Sequence, residues 1–294
     1  MFLEQLVNGI TLGSIYAIVA LGYTLVFGVL DIINMAHGEI FMFGSFVGML
    51  LATQAGLPLP VAFLGAMAAT AVLGYLLERL ALRPLRRRPG VPSLASLIST
   101  IGVSILLENV ARKLFGAGNQ PFPASFAEIS FQAGGVTVYA VQAVILLISL
   151  GLMAALSAWL SRSRQGKALR ATAENPETAA LLGVDTGRII TATVVIASVM
   201  GGIAGVLVGM SFGYINNQIG LSMGLKGLAI IIFGGMGSVN GAMAGGIILG
   251  LAETFVVAYG DSGYRDAIAF IAIILVLLVR PQGLFGRPAA EGGR

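Results

Sequence analysis

The sequence predicts an all-α, polytopic helical membrane protein with about eight or nine transmembrane helices, and three observations support this class. Of the 294 residues, 57% are apolar. Only 10% are charged, whereas a soluble domain carries roughly a quarter charged residues. The mean hydropathy is +0.93. Several apolar runs also reach the length of about 20 residues that crosses about 30 Å of hydrocarbon as a helix. The chain must therefore present apolar side chains to a bilayer.

Cysteine is absent and the formal net charge is only +4, and these two facts exclude several classes of function. A chain without cysteine holds no disulfide, no Cys-ligated zinc and no thiol nucleophile. The basic residues collect in two interior loops and the C-terminal tail, as expected of cytoplasmic segments rather than of a nucleic-acid-binding face. We therefore expect contact with a lipid bilayer and no nucleic-acid partner.

The first half of the chain contains four predicted spans, at about residues 6–30, 40–52, 60–82 and 91–109. The second run has about 13 residues, which is short for a crossing, so it is either half of a broken helix or a re-entrant segment. The segment "RPLRRRPG" (83–90) places four arginines between the third and fourth spans. This density of arginine predicts a cytoplasmic loop.

The second half adds predicted spans at about residues 138–160, 189–211, 223–238, 241–259 and 265–280. The polar interruption 112–137 is then an outer loop with a possible hairpin, and the basic segment 161–188 is cytoplasmic. We expect residues 1–294 to form a single transmembrane domain. Eight crossings would place the N-terminus inside and nine would place it outside.

Two glycine series predict close packing between helices. They are Gly201, Gly205, Gly209 and Gly213, and then Gly237, Gly241 and Gly245. A spacing of four residues keeps each series on one helix face, where a neighbouring backbone can approach. The stretch "FGGMGSVNGAMAGG" (233–246) lacks the Gly-Lys-Ser/Thr ending of a phosphate-binding loop, so it predicts a helix break and no nucleotide site.

The cytoplasmic segment contains a short helix with its own start and stop signals, "AENPETAALLGVD" (173–185). Asn175 is a good N-cap, Pro176 suits the first helical position, Glu177 suits the positive first turn, and Gly183 suits the end. An apolar helix with both ends capped is typical of a docking element. The alternative is a helical turn that lies against the protein's own bundle or the membrane surface.

The stretch "ETAALLG" (177–183) is similar to the Glu-Ala-Ala-x-x-x-Gly signature in the cytoplasmic coupling loop of ABC importer permeases, with Thr178 in place of the first Ala. Three longer stretches resemble the LivH-type branched-chain amino acid permease family. They are "GYTLVFGVLDIINMAHGEIFMFGSF" (22–46), "RATAENPETAALLGVD" (170–185) and "GLKGLAIIIFGGMGSVNGAMAGGIILG" (224–250). The wider signature continues to an Ile-x-Leu-Pro ending, whereas this chain reads "RIITATVVIAS" (188–198) without proline.

This resemblance implies a multi-pass permease subunit in a bacterial inner membrane that translocates branched-chain amino acids. It implies as partners a second related permease, two ATP-binding subunits and a periplasmic substrate-binding protein. It also implies that ATP and Mg²⁺ bind to the partner subunits, so that this chain is not itself an enzyme and needs no cofactor. The residues that would contact the ATP-binding subunit are Asn175, Pro176, Glu177, Ala179, Ala180 and Gly183.

The polar segment "DIINMAHGEIFMFGS" (31–45) interrupts the apolar sequence between the first two runs. Zinc needs three or four ligands, and the chain has a single histidine, so a metal site is disfavoured. Polar groups at membrane depth are either packed against protein or line a wet pathway. The candidate pathway residues are Asp31, Asn34, His37, Glu39 and Lys226. Lys226 could instead pair with Glu253.

Other functions stay open on the sequence alone. Related importer permeases for urea or short amides are the main alternative within the same class. An ATP-independent secondary transporter would not need a capped docking helix, and a membrane-embedded enzyme would need converging catalytic groups.

Overall fold

The computed structural model describes residues 2–86, 93–123, 129–133 and 136–286, and it is predominantly helical. The first half contains α1 (Phe2–Leu30), α2 (His37–Thr53), α3 (Leu59–Leu77), a π-helical segment (Glu78–Leu82), α4 (Arg83–Arg86) and α5 (Ser93–Phe115). The described residues also form four short strands, numbered in chain order: β1 (Gln120–Pro121), β2 (Ser130–Ala133), β3 (Val136–Tyr139) and β4 (Tyr214–Ile215). The second half contains α6 (Ala140–Arg162), α7 (Arg164–Glu174), α8 (Pro176–Leu181), α9 (Thr186–Phe212), α10 (Ile219–Gly234), α11 (Val239–Tyr259), a 3₁₀ turn (Ser262–Tyr264) and α12 (Arg265–Val279).

Seven helical stretches in the described residues are long and apolar enough to cross a bilayer, and α2 and α10 are shorter apolar helices. The predicted eight or nine crossings therefore differ slightly from this count, and the two short helices account for the difference. The polytopic helical class is confirmed.

The break after the first span lies between Leu30 and His37, within the predicted polar interruption, and Asp31 in it has a φ of +52°. Two predicted boundaries need correction. Helix α5 continues to Phe115, so Arg112 belongs to its last turn and the outer loop begins later than predicted. Helix α10 ends at Gly234 rather than near residue 238. Arg87, Arg88, Arg287 and Arg294, which marked cytoplasmic segments in the sequence, lie outside the described residues.

The two strand pairs lie in the predicted outer region. Strands β2 and β3 form the predicted antiparallel hairpin, in which Phe131 lies opposite Val138. Strand β1 pairs with β4, so that Gln120 lies opposite Ile215. This second pairing fixes the segment after α5 to the end of α9.

Helices α1 and α9 form the centre of the bundle. Most of α1 and of α9 is buried, whereas few residues of α5, α6 and α12 are buried. Both central helices are apolar around their whole circumference, which suits a buried position. The exposed apolar surfaces of α5, α6 and α12 suit contact with lipid or with another membrane subunit.

A long–short–long helix arrangement occurs twice, first as α1–α2–α3 and then as α9–α10–α11. Helix α1 packs along α11, and α9 packs along α3; α2 packs on α9, and α10 packs on α1. The start of α1 lies beside the start of α6, where Gln142 donates a hydrogen bond to Asn8, and α9 starts at the other end of the bundle. The two halves therefore run in opposite directions, which is the inverted-repeat architecture of many transporters.

Glycines permit the close crossings at the centre. A Cβ on Gly205 would collide with the carbonyl oxygen of Phe41 in α2, and one on Gly241 with the carbonyl oxygen of Gly234. Gly201 lies against the His37 ring, Gly209 against the Phe122 ring, and Gly245 against Phe233.

Gly213 and Gly237 differ from the predicted packing role. Their φ values are +72° and +79°, so Gly213 ends α9 and Gly237 turns the chain between α10 and α11. Glycine adopts this left-handed conformation without steric cost.

Candidate functional site

Helix α8 carries the candidate coupling residues, and its ends are formed as the sequence predicts. The side-chain oxygen of Asn175 accepts a hydrogen bond from the backbone N–H of Thr178 at 2.9 Å. Pro176 occupies the first helical position, Glu177 lies in the first turn, and Gly183 ends the segment with a φ of +86°. The helix is therefore a capped unit of less than two turns.

One face of α8 is turned away from the protein. Leu181 and Leu182 are 88% and 78% exposed, and Glu177 and Ala180 are also exposed. Ala179 is buried, so among the candidate contact residues it packs toward the chain's own helices. Exposed leucines on a rigid turn are typical of a surface that a partner covers.

Helix α7 connects α8 to the core. The hydroxyl of Ser163 caps α7 by accepting a hydrogen bond from the N–H of Gly166 at 2.8 Å. Arg170 donates to the carbonyl oxygen of Leu160 at the end of α6. Helix α7 also packs against α1 and α9. A displacement of α8 therefore acts on three membrane helices through one short, capped helix.

Helix α9, which follows α8, has a regular capped start although the proline of the wider importer signature is absent. The Asp185 carboxylate accepts a hydrogen bond from the backbone N–H of Arg188 at 3.0 Å, and α9 runs unbroken from Thr186 to Phe212.

The polar segment before α2 divides into an exposed residue and a buried cluster. Asp31 is exposed and lines a cavity of about 950 Å³ together with Arg170 and Asn240. Asn34, His37 and Glu39 are each 1% exposed. The sequence grouped these four residues, but the structure separates Asp31 from the other three.

The buried cluster is held by few polar contacts. The side-chain oxygen Oδ1 of Asn34 accepts a hydrogen bond from the backbone N–H of Ala36 at 3.2 Å, and the Ser104 hydroxyl of α5 donates one to Glu39 at 3.3 Å. Within the described part of the chain, the Asn34 amide nitrogen, both His37 ring nitrogens and the second Glu39 oxygen have no hydrogen-bond partner. The described residues also contain no group of three metal-ligating acidic, histidine or cysteine side chains.

Lys226 and Glu253 form the predicted pair, and the structure adds three residues to it. Lys226 Nζ lies 2.7 Å from Glu253 Oε1 and 2.9 Å from Asp266 Oδ1. Tyr16 donates to Glu253 Oε2 at 2.9 Å, and Arg265 also pairs with Glu253. This network joins α1, α10, α11 and α12. Sequence reasoning missed Tyr16, Arg265 and Asp266 because only the fold brings α1 and α12 beside Lys226.

Several known proteins are similar to this chain over nearly its whole length. Residues 5–277 match the family model "Branched-chain amino acid transport system / permease component". The chain is 41% identical to the high-affinity branched-chain amino acid transport system permease protein LivH of Escherichia coli K12, over 99% of this chain and 97% of that protein. It is 42% identical to the corresponding protein BraD of Pseudomonas aeruginosa, with the same coverage of both chains.

A solved structure, PsaBC from Streptococcus pneumoniae in complex with Fab, superposes with a TM-score of 0.51 at 13% identity. The match covers 95% of this chain and 92% of that one. At this identity the likeness shows the fold alone. The family model and the two relatives show more: the chain belongs to the family of permease components of branched-chain amino acid transport systems.

Proposed function

We propose that this chain is the transmembrane permease subunit of an ATP-driven importer that moves branched-chain amino acids across a bacterial inner membrane. The observation that carries this proposal is the capped, outward-facing α8 joined to the core through α7. The relatives LivH and BraD are named as branched-chain amino acid permeases, which supports the substrate class. ATP and Mg²⁺ bind to separate ATP-binding subunits in this proposal, and this chain performs no chemistry itself.

The coupling surface consists of the exposed side of α8. Asn175 and Pro176 set the start of the helix, and Gly183 ends it. Glu177, Ala180 and the two exposed leucines contact a groove of the ATP-binding subunit. Buried Ala179 holds the helix against this chain instead.

Helix α7 couples transport to ATP binding in this proposal, because it packs against both α8 and the membrane helices. Closure of two ATP-binding subunits moves α8, and α7 transmits the displacement to α1, α6 and α9. A zwitterionic amino acid cannot cross hydrocarbon unaided, so the moving helices must offer it polar groups or water. A second, related permease subunit and a periplasmic binding protein complete the assembly.

The buried cluster of Asn34, His37 and Glu39 is proposed to contact the pathway during this movement. Four of its buried polar atoms have no hydrogen-bond partner, and each such burial costs about 1–3 kcal/mol. A conformation in which these atoms meet water or substrate is therefore favoured. Lys226 is held in its ion network, and Asp31 lies at the cavity on the α7 side.

The test is uptake of radiolabelled leucine, and separately of urea, into vesicles that contain all partner subunits. We expect ATP-dependent leucine uptake that Leu181→Asp abolishes, because a charge replaces an exposed apolar contact without disturbing the core. Thr178→Ala is the matched control on the same helix, and it restores the family signature, so it should retain uptake. Urea uptake in place of leucine uptake would refute the substrate class, and leucine uptake independent of ATP would refute the importer mechanism.

A further inference from the structure

A second cavity, of about 330 Å³, lies among the ends of α1, α6, α9, α11 and α12 that face away from α8. This volume is at the lower end of the roughly 300–1,000 Å³ that small-molecule pockets occupy. The cavity is distinct from the larger one beside Asp31, and the transport mechanism above does not use it. Its position at the outer end of the bundle places it on the side from which a substrate arrives.

The cavity has one charged lining residue among its described neighbours, Arg265. The Nε atom of Arg265 is engaged by Glu253, and the guanidinium lies over the Phe212 ring at 5.2 Å from its centroid. These two contacts fix the side chain, which is still 38% exposed. Within the described chain, its two terminal nitrogens have no hydrogen-bond partner, and the side chain lines the cavity.

A fixed guanidinium fork is the protein group that best matches a carboxylate, because two parallel N–H donors meet its two oxygens. The network of Lys226, Glu253, Arg265 and Asp266 holds this guanidinium in place and carries no net charge. Lys226 and Arg265 are balanced by Glu253 and Asp266, so the four charged side chains are neutral in total before a carboxylate binds.

The remaining lining combines apolar side chains with uncharged polar ones. Leu12, Ile145, Phe212 and Val257 form an aliphatic and aromatic wall. Asn8, Gln142 and Thr254 supply amide and hydroxyl groups. The described lining residues include no carboxylate, so an ammonium group entering the cavity meets only neutral acceptors among them.

We propose that this cavity is an outward-facing binding site for small aliphatic carboxylates, with the carboxylate on Arg265 and the alkyl group against Leu12, Ile145 and Val257. In the importer this site receives the aliphatic amino acid as it enters the membrane domain, an assignment that rests on the proposed function. Because recognition uses the carboxylate and the side chain, the amino group contributes little to affinity. The site therefore binds 4-methylpentanoate, the deaminated analogue of leucine, but not 3-methylbutylamine.

The test uses the assembled permease and ATP-binding subunits in nanodiscs, without the periplasmic binding protein. Binding of tritiated leucine is measured, with 4-methylpentanoate and 3-methylbutylamine as competitors. We expect competition by the acid and none by the amine. Arg265→Lys keeps the charge but removes the fork, and it should weaken binding about tenfold or more. Arg112→Gln, which removes an exposed arginine paired with Glu108 on α5, is the control and should leave binding unchanged.

A second pair of variants tests the cavity without touching the ion network. Val257→Trp fills the space and should abolish leucine binding, whereas Ala258→Trp, at the next position and outside the cavity lining, should retain it. Undetectable binding to the native complex at millimolar leucine overturns the proposal, as does unchanged binding in both Arg265→Lys and Val257→Trp. Much stronger competition by dodecanoate than by leucine would identify a lipid site and also overturn it.

ATP-dependent leucine uptake by the same preparation, with the binding protein added, separates the two proposals. Uptake without binding at this cavity refutes the site and leaves the importer function intact. Absence of uptake in the native transporter refutes the importer function itself.

Discussion

Replacing Glu253 by leucine removes the carboxylate at the centre of the buried ion network. Glu253 is fully buried and Lys226 is 5% exposed, and their charged atoms are 2.7 Å apart. Removing one partner of a buried ion pair costs about 3–5 kcal/mol, because the other charge stays buried without compensation. Lys226 keeps Asp266 at 2.9 Å, but the Asp266 side chain is 70% exposed, and exposed pairs contribute about 0–1 kcal/mol. We therefore expect Glu253→Leu to lower the free energy of unfolding by about 3 kcal/mol.

The measurement is an SDS titration in mixed micelles, followed by the helical circular dichroism signal. Glu108→Leu is the matched control, because the Glu108–Arg112 pair lies on the exposed surface of α5 and is worth about 0.3–0.5 kcal/mol. The double variant Lys226→Met/Glu253→Leu should recover at least half of the loss, since both buried charges are then removed. A single-variant loss equal to that of the control would refute the network as a stabilising element, and so would a double variant less stable than Glu253→Leu alone.

Two further variants test the helix crossing and the helix cap. Gly205→Val should destabilise the bundle by about 1–3 kcal/mol or prevent its insertion, since the new side chain meets the Phe41 carbonyl oxygen. The control Gly102→Val on α5 should be tolerated, because no described atom lies within 4 Å of a Cβ at that position. Thermal unfolding of both variants checks this. Asn175→Ala should destabilise helix α8 locally by about 1 kcal/mol, because the N-cap hydrogen bond is lost, and should slow ATP-dependent uptake without changing the stability of the whole bundle. Asn175→Asp keeps a capping oxygen and should retain uptake. Equal uptake rates in the native protein and Asn175→Ala would contradict the capping role.

Much of the fold follows from the sequence because hydrophobic length and loop charge are local properties. The spans, the outer hairpin and the capped helix α8 were all predictable from runs of residues that lie together in the chain. The opposed orientation of the two halves was not visible, because it depends on which helices pack together and not on any repeated sequence. The break before α2 was indicated by its polar residues, but the left-handed conformation of Asp31 within it was not predicted, because few non-glycine residues adopt a positive φ.

The candidate site also has features that local sequence predicts and features that only the packing of helices produces. The start and stop residues of α8 were identified from capping preferences, but the burial of Ala179 depends on how α8 lies against α7 and α9. The Lys226–Glu253 pair was one of two open alternatives, because two opposite charges in an apolar sequence favour each other. Arg265 was not identified, since its link to Glu253 arises only when α12 packs beside α11.

The most direct test of the account is a photo-crosslink from helix α8 in the assembled transporter. A photo-reactive phenylalanine analogue replaces Leu181, which is 88% exposed, and in a control protein it replaces Leu147, which is 76% exposed on α6. We expect position 181 to crosslink to the ATP-binding subunit, with a yield that changes when ATP is added, and position 147 not to do so. A crosslink from position 181 only to lipid or to this chain itself would contradict the coupling role of α8.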